Sequence, residues 1–288
     1  MPTVYAFMNL KGGVGKTTLA ANLGYQLAVQ QQTPAILIDT DPQCNLTQLL
    51  VPSDRVDTFH PDRTVFATFR TPSRYGDPHP ADLSVRASLD PAVHVDLIPG
   101  SFETLRYGVM QNGLLPTTMM QNFRAFVDKC KTQYDTVILD TNPSSTFTTL
   151  CALSAADYLV APVTLDVYSV KGIDLIREVM SQMYPWLNDP ERVKIIFNRI
   201  PRTADPGKLA SIQARENEIR TRFPELSPSI MAYRIHETSL LSAATAAAGF
   251  AVARDDGYFF TKRALSKLKE DVAGAATDLI ATASNRLH

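Results

Sequence analysis

Lys11-Gly12-Gly13-Val14-Gly15-Lys16-Thr17-Thr18 follows an apolar run, Val4–Met8, and precedes a stretch in which Leu19, Ala20, Leu23, Leu27 and Ala28 recur at helical spacing. The run reads as a strand and the stripe as a helix over 17–30, so the octet is the turn between them. A phosphate cradle has to sit there, because the first N–H groups of a helix are unpaired and its dipole presents positive charge. Gly12, Gly13, Val14 and Gly15 let the backbone curl with its N–H groups inward. Lys16 can reach β and γ oxygens, the Thr17 hydroxyl can ligate Mg²⁺, and Thr18 can add a contact near the α-phosphate.

Working outward, further Val/Ile/Leu-rich runs lie at 35–38, 95–98, 136–139, 158–163 and 193–197, the composition of strands covered on both faces. Helices are expected between and after them, at 102–112, 117–132, 145–156, 171–184, 206–222, 237–249 and 258–284. Strand–helix alternation predicts an α/β fold, a mostly parallel sheet flanked by helices on both faces, with ligands at the carboxyl ends of the strands. We expect one domain over 1–288. The stretch 52–94 breaks the alternation: its six prolines deny a long helix or a central strand and predict an insertion or loop. Asp39 and Asp41 follow the second run and Asp140 the fourth. A carboxylate in Asp140's position is the Walker B arrangement, which holds Mg²⁺ through water.

The chain has 288 residues, 45% hydrophobic and 20% charged, and no window resembles a membrane span or a secretion signal, so the expected location is cytoplasmic. Cys44, Cys130 and Cys151 are too few and too dispersed for a disulfide framework or a structural zinc site. Net charge is −1, but 191–270 carries 14 Lys/Arg against 9 Asp/Glu, a local balance of +5. Either these are solvated helix faces or they meet an anionic partner such as nucleic acid.

Leu10 stands where the ordinary phosphate-loop pattern has glycine, and an additional lysine, Lys11, opens the motif. In this deviant form the chain resembles the ParA/MinD family of P-loop ATPases over about 3–50 and 95–270. The resemblance implies that Lys11 crosses an ATP-bound homodimer to touch the partner's phosphates, and so acts in catalysis with Lys16 and Asp41. Asp39-Thr40-Asp41-Pro42-Gln43-Cys44-Asn45 looks like the family's first switch, with Asp41 positioning the attacking water and Asp39 supporting Mg²⁺ hydration; Cys44 replaces a glycine. Asp140-Thr141-Asn142-Pro143-Ser144 resembles the second switch, Asn142 replacing a proline. Asp166 and Gly172 fall near the implied dimer seam, Asp166 having helix capping as its alternative. Asn198-Arg199 resembles the base-reading segment; the Asn198 amide either pairs with adenine or ties a loop.

The resemblance further implies ATP and Mg²⁺ as cofactors, slow hydrolysis stimulated by a ParB-like partner, non-specific DNA binding in the ATP state, and partition of a plasmid, chromosome or other cargo over the nucleoid. Arg202, Arg199 and Arg234 are the leading DNA-contact candidates. A chain beginning almost at its first strand is not expected to carry the N-terminal operator-binding extension of some relatives. Three alternatives share the fold. A MinD-like membrane cycle would need an amphipathic C-terminal helix, for which 278–288 is a poor match. A small-molecule ligase, such as a dethiobiotin synthetase relative, lacks the lysine seen at position 11. Nitrogenase iron-protein relatives would need differently placed cysteines.

Overall fold

Successive residues of a strand point to opposite faces, and in β1 (Thr3–Phe7) both faces are apolar: Val4 and Ala6 enter one core, Tyr5 and Phe7 the other. The same division holds in β2 (Ala35–Asp39), where Ile36 and Ile38 oppose Leu37. The computed structural model describes residues 1–70, 77–109, 117–144, 146–243, 249–254 and 262–285. Parts of the helices expected at 102–112, 145–156, 237–249 and 258–284 therefore lie outside the described residues.

The remaining strands are β3 (Val85–Arg86), β4 (Val95–Ile98), β5 (Thr136–Asp140), β6 (Tyr158–Val163), β7 (Val193–Ile200) and β8 (Ile230–His236). They form one eight-stranded sheet in the order β3-β4-β2-β5-β1-β6-β7-β8. Every pairing is parallel except the short β3–β4 edge. The sequence pattern missed β8 because only Met231 and Ile235 of its seven residues are buried, and it missed β3 because that strand is two residues long.

On one face lie α1 (Lys16–Gln31) and, beyond the strands, α7 (Lys262–Asn285); between them in sequence come α2 (Asn45–Leu50), α3 (Thr117–Cys130), α4 (Phe147–Ala155), α5 (Val167–Met180) and α6 (Pro206–Arg222). Leu19, Leu23 and Leu27 of α1 pack with Leu268, Val272 and Leu279 of α7. Each such fully buried leucine contributes about 1.5–3 kcal/mol of transfer free energy. The opposite face is covered by Phe123 and Phe126 of α3, Cys151 of α4 and Ile173 of α5. The apolar side of α7 is thus committed to the protein interior.

The proline-rich 52–94 stretch contains four short helical turns, Ser53–Val56, Pro61–Arg63, Phe66–Phe69 and Pro80–Leu83, followed by β3. Val65, Phe69 and Leu83 are buried in the core. Phe69 stacks on Phe123 with ring centroids 5.0 Å apart and meets Phe147 at 5.8 Å.

Candidate active site

The carboxyl ends of β1, β2 and β5 meet in register, Phe7 beside Asp140 and Asp39 beside Asp140, and the glycine-rich loop leaves β1 at this point. Gly13 and Gly15 have φ of +74° and +88°, the left-handed region open to glycine. Gly15 caps α1, and a Cβ there would lie 2.4 Å from Asn198 Nδ2. We expect Gly15→Ala to cost about 1–2 kcal/mol from the backbone alone. The clash with Asn198 adds to this, and nucleotide affinity, measured by titration with a fluorescent ATP analogue, should drop with it.

Two residues at the end of β7 hold the loop from behind. Asn198 Nδ2 donates to the Val14 carbonyl at 2.7 Å, and Asn198 Oδ1 accepts from Arg199 N at 2.9 Å. The amide ties the loop, and because each side keeps one further hydrogen-bonding position and Asn198 also lines the cavity over the loop, base pairing and loop tying stay compatible. Arg199, itself at φ +59°, donates from Nη1 to the Gly13 carbonyl at 2.9 Å. Strained backbone of this kind persists where the surroundings over-determine it. At the other end of the loop, buried Asn9 donates to the Pro162 carbonyl at 2.7 Å and accepts from Lys11 N at 2.9 Å. Sequence reasoning missed Asn9; its signal was a polar residue between the first strand and the glycines.

Inside the loop, Lys16 is only 7% exposed, and its pKa is lowered chiefly by burial, against the opposing pull of Asp140 and Asp41. Both Asp140 oxygens are buried without a hydrogen-bond partner. Burial first, then repulsion from Asp39, raises the Asp140 pKa well above its ordinary value, with the nearby Thr17 hydroxyl and Lys16 ammonium acting in the opposite direction. Asp41 is nearly buried; it accepts from Gln43 N at 2.9 Å and from Asn45 Nδ2 at 3.3 Å.

Asp39 is placed differently. Its Oδ2 accepts from Thr47 N at 2.8 Å and Thr47 Oγ1 at 2.7 Å, and its Oδ1 from Asp41 N at 3.3 Å. Burial pushes its pKa up to about 7 despite those hydrogen bonds. With these partners the carboxylate fixes α2 and the turn that carries Asp41. Cys44 adopts φ +54°, the conformation for which the motif's glycine is suited. Asn142 Oδ1 accepts from Ser144 N and from the Thr146 and Thr149 hydroxyls, bracing the turn into α4.

Lys11 lies outside the cradle. Its Nζ pairs with Asp166 Oδ2 at 2.9 Å, and both side chains are partly exposed. Asp166 also caps α5 by accepting from Ser169 N, so the capping alternative and the contact with Lys11 coexist. Burial raises the Asp166 pKa, but hydrogen bonds from Thr164, Lys11 and Ser169 outweigh it and hold the group below its ordinary value. Gly172 packs against Asn9 and Leu10, where a Cβ would sit 3.4 Å from Asn9 Oδ1.

A cavity of about 780 Å³ opens over the loop. Gly12, Gly13, Gly15, Lys16, Thr17, Thr18 and Asp41 line one side, and His236, Glu237, Thr238 and Ser239, at and beyond the end of β8, line another. This last wall was invisible in the sequence because β8 was. Of the three arginines named as DNA contacts, Arg199 at the end of β7 donates to the Gly13 carbonyl of the loop, Arg234 Nη1 of β8 pairs with buried Glu216 Oε1 at 2.9 Å, and Arg202 lines a second groove.

The donor set suits Mg²⁺, which keeps several waters and takes few protein ligands besides phosphate oxygens. The unpartnered Asp140 carboxylate and the Thr17 hydroxyl are groups that could hold it. Among the described residues there is no cluster of three His, Cys, Asp or Glu side chains fit for a metal, and no helix is long and apolar enough to cross a membrane.

Comparison with known proteins agrees with this geometry. The family model described as an AAA domain matches residues 2–191. The chain is 30% identical over 176 residues to the virulence plasmid ParA family protein pGP5-D of Chlamydia psittaci, covering 61% of this chain and 62% of that one. It is 30% identical over 220 residues to the chromosome-partitioning ATPase Soj of Thermus thermophilus, covering 76% of each. The chlamydial relatives are matched over 60–62% of their own length. The fold superposes on that of pNOB8 ParA with a TM-score of 0.72 at 21% identity, covering 99% of this chain and 100% of that one. A second structure of that protein, bound to nonspecific DNA, gives 0.65 at 21% identity and covers 99% of each chain.

Proposed function

We propose, from the premise that this chain belongs to the AAA-domain family as a ParA/MinD-type P-loop ATPase, that it hydrolyses ATP slowly as a homodimer and binds DNA without sequence preference in the ATP state. The observation that carries this reading is the division of labour between two lysines. Lys16 is buried within the cradle beside Asp41 and Asp140, whereas Lys11 stands at its rim and points away, held by Asp166. A lysine that does not serve its own cradle is free to serve a neighbour's.

In this reading the loop N–H groups and Lys16 hold the triphosphate, Asp41 orients the attacking water, and Asp39 fixes the turn that carries Asp41. Mg²⁺, held by Thr17 and through water by Asp140, would neutralise charge on the phosphates. Lys11 is released from Asp166 to reach the partner's phosphates. The exchange is cheap: a 2.9 Å pair this exposed is worth about 0–1 kcal/mol, less than a contact with a triphosphate partly withdrawn from water.

DNA binding is supported by the local excess of +5 over 191–270 and by the nonspecific-DNA complex of pNOB8 ParA. Dimerisation doubles that surface, so nucleotide state becomes the switch. A ParB-like protein that stimulates hydrolysis would then release the dimer, and repetition of the cycle would move a plasmid, chromosome or other cargo across the nucleoid in the cytoplasm. We expect retention of random-sequence DNA with ATP and not with ADP. If about four phosphates are neutralised per dimer, log affinity should fall with log salt at a slope of roughly −3.6. Retention that ignores salt, or is equal with both nucleotides, would overturn the DNA-binding part of this reading.

A further inference from the structure

The same dipeptide closes two strands of the sheet: Asp39-Thr40 at the end of β2 and Asp140-Thr141 at the end of β5. Both threonines are fully buried. Thr40 N donates to the Asp140 carbonyl at 3.0 Å, and Thr40 Oγ1 donates to the same carbonyl at 2.6 Å. One strand further on, Thr141 N donates to the Phe7 carbonyl at 3.3 Å and Thr141 Oγ1 donates to it at 2.8 Å, the Asn142 carbonyl lying further from that hydroxyl at 3.4 Å. β2, β5 and β1 are neighbours in that order. The two hydroxyls therefore form a lace across the three strand ends that lead to Asp41, Asp140 and the phosphate loop.

The lace is not needed to satisfy the backbone. Each carbonyl already accepts an amide N–H, and the hydroxyl fills its second acceptor position. Valine has nearly the same shape and would be buried there with no polar group to desolvate. What the hydroxyls add is direction, since a second donor fixes the plane of the peptide that it meets. At the first step, Asp41 bonds to Gln43 N and Asn45 Nδ2, and Asp39 to Thr47 and Asp41 N, so the turn is braced within itself and Thr40 joins it to β5. At the second, the Phe7 carbonyl is the root of the loop, two residues before the Asn9 that accepts from Lys11 N. Between the two steps lies Asp140, whose carboxylate oxygens have no hydrogen-bond partner and whose aim is set by its backbone.

We propose that Thr40 and Thr141 are positioning residues for hydrolysis: the Thr40 hydroxyl sets the Asp41 turn against Asp140, and the Thr141 hydroxyl sets Asp140 against the phosphate loop. The inference rests on the hydrolytic reading above and adds to it what holds the parts of the reactive centre in one frame. Neither threonine lines the nucleotide cavity, so each acts through the residues that it holds.

The test compares valine and serine at each position in the full chain with ATP and Mg²⁺. It reads kcat, nucleotide affinity by titration with a fluorescent ATP analogue, and melting temperature. Thr40→Val should keep affinity and melting temperature while kcat falls by about 10–10²-fold, the upper figure being the cost of a misplacement of about 1 Å. Thr40→Ser, which keeps the hydroxyl, should hold the wild-type rate. Thr141→Val should instead weaken nucleotide binding by about 2–10-fold, the worth of one hydrogen bond, and Thr141→Ser should not. A merely structural role for Thr40 would lower the melting temperature and leave kcat of the folded protein unchanged, which overturns the proposal. A rate in Thr40→Val within about twofold of the wild type, or an equal loss in Thr40→Ser, overturns the part given to Thr40; unchanged nucleotide affinity in Thr141→Val overturns that given to Thr141. A wild type that hydrolyses no ATP overturns the hydrolytic reading itself, and this inference with it. Should Thr40→Val fail to fold, Thr40→Ala is read against Thr40→Ser in the same way.

Discussion

Asp41→Ala, given ATP and Mg²⁺, should remain a dimer at twice 31.7 kDa and stay on DNA while hydrolysing ATP about 10²–10⁴-fold more slowly than the wild type. The argument is local. Asp41 sits at the cradle beside Lys16, but its hydrogen bonds go to Gln43 and Asn45 of its own turn and not to the loop that holds the phosphates. Removing its carboxylate takes away the group proposed to orient water and leaves the binding elements in place. It also removes a negative charge that stabilises the Lys16 ammonium, an effect smaller than the burial that dominates that lysine. Lys16→Ala is the contrasting control, since it strips the cradle's buried cation and should bind neither nucleotide nor DNA. Light scattering and DNA retention with ATP distinguish the two variants. A monomeric, DNA-free Asp41→Ala would reverse the assigned roles.

Lys11→Ala should retain ATP binding in the free subunit and lose about 10³–10⁵-fold in turnover, the range measured when a cation supplied across an interface is removed from a phosphoryl-transfer site. Lys11 is outside its own cradle and bonded to Asp166, so its loss leaves Lys16, Thr17 and the glycine backbone untouched. A mixing experiment separates action in trans from action in cis. Lys11→Ala combined with a subunit whose own nucleotide site is disabled should recover activity, because each then lacks a different half of one reactive centre. Recovery would not occur if Lys11 served only its own subunit, and full activity of Lys11→Ala alone would remove it from the mechanism.

Much of the fold could be read from the sequence because a parallel sheet buried on both faces announces itself. β1, β2, β5 and β6 are almost entirely buried, and their residues are correspondingly apolar. β8 escaped because it is a sheet edge in which only Met231 and Ile235 are buried, and with it went the His236–Ser239 wall of the cavity. The phosphate loop was legible through its glycines, two of which occupy backbone conformations that disfavour other residues. The partners of Lys11 and Asn198 were not, since they depend on which strand ends become neighbours in the folded sheet. The resemblance assigned Asp39 to the support of Mg²⁺ hydration; in the folded chain its carboxylate accepts from Thr47 and from the amide of Asp41.

The stacking of Phe69 on Phe123 and its contact with Phe147 have a practical corollary for anyone trimming the chain. A splice that removes 52–94 as a dispensable excursion would tear out a fully buried ring and strip three aromatic neighbours, Tyr107, Phe123 and Phe147, of their partner; that side chain alone accounts for a loss of about 3–5 kcal/mol of the kind seen when phenylalanine is cut back to alanine, before the buried Val65 and Leu83 are counted. The stretch is a keystone for the start of the helix that follows the second switch, and any shortened version has to carry replacements for Val65, Phe69 and Leu83.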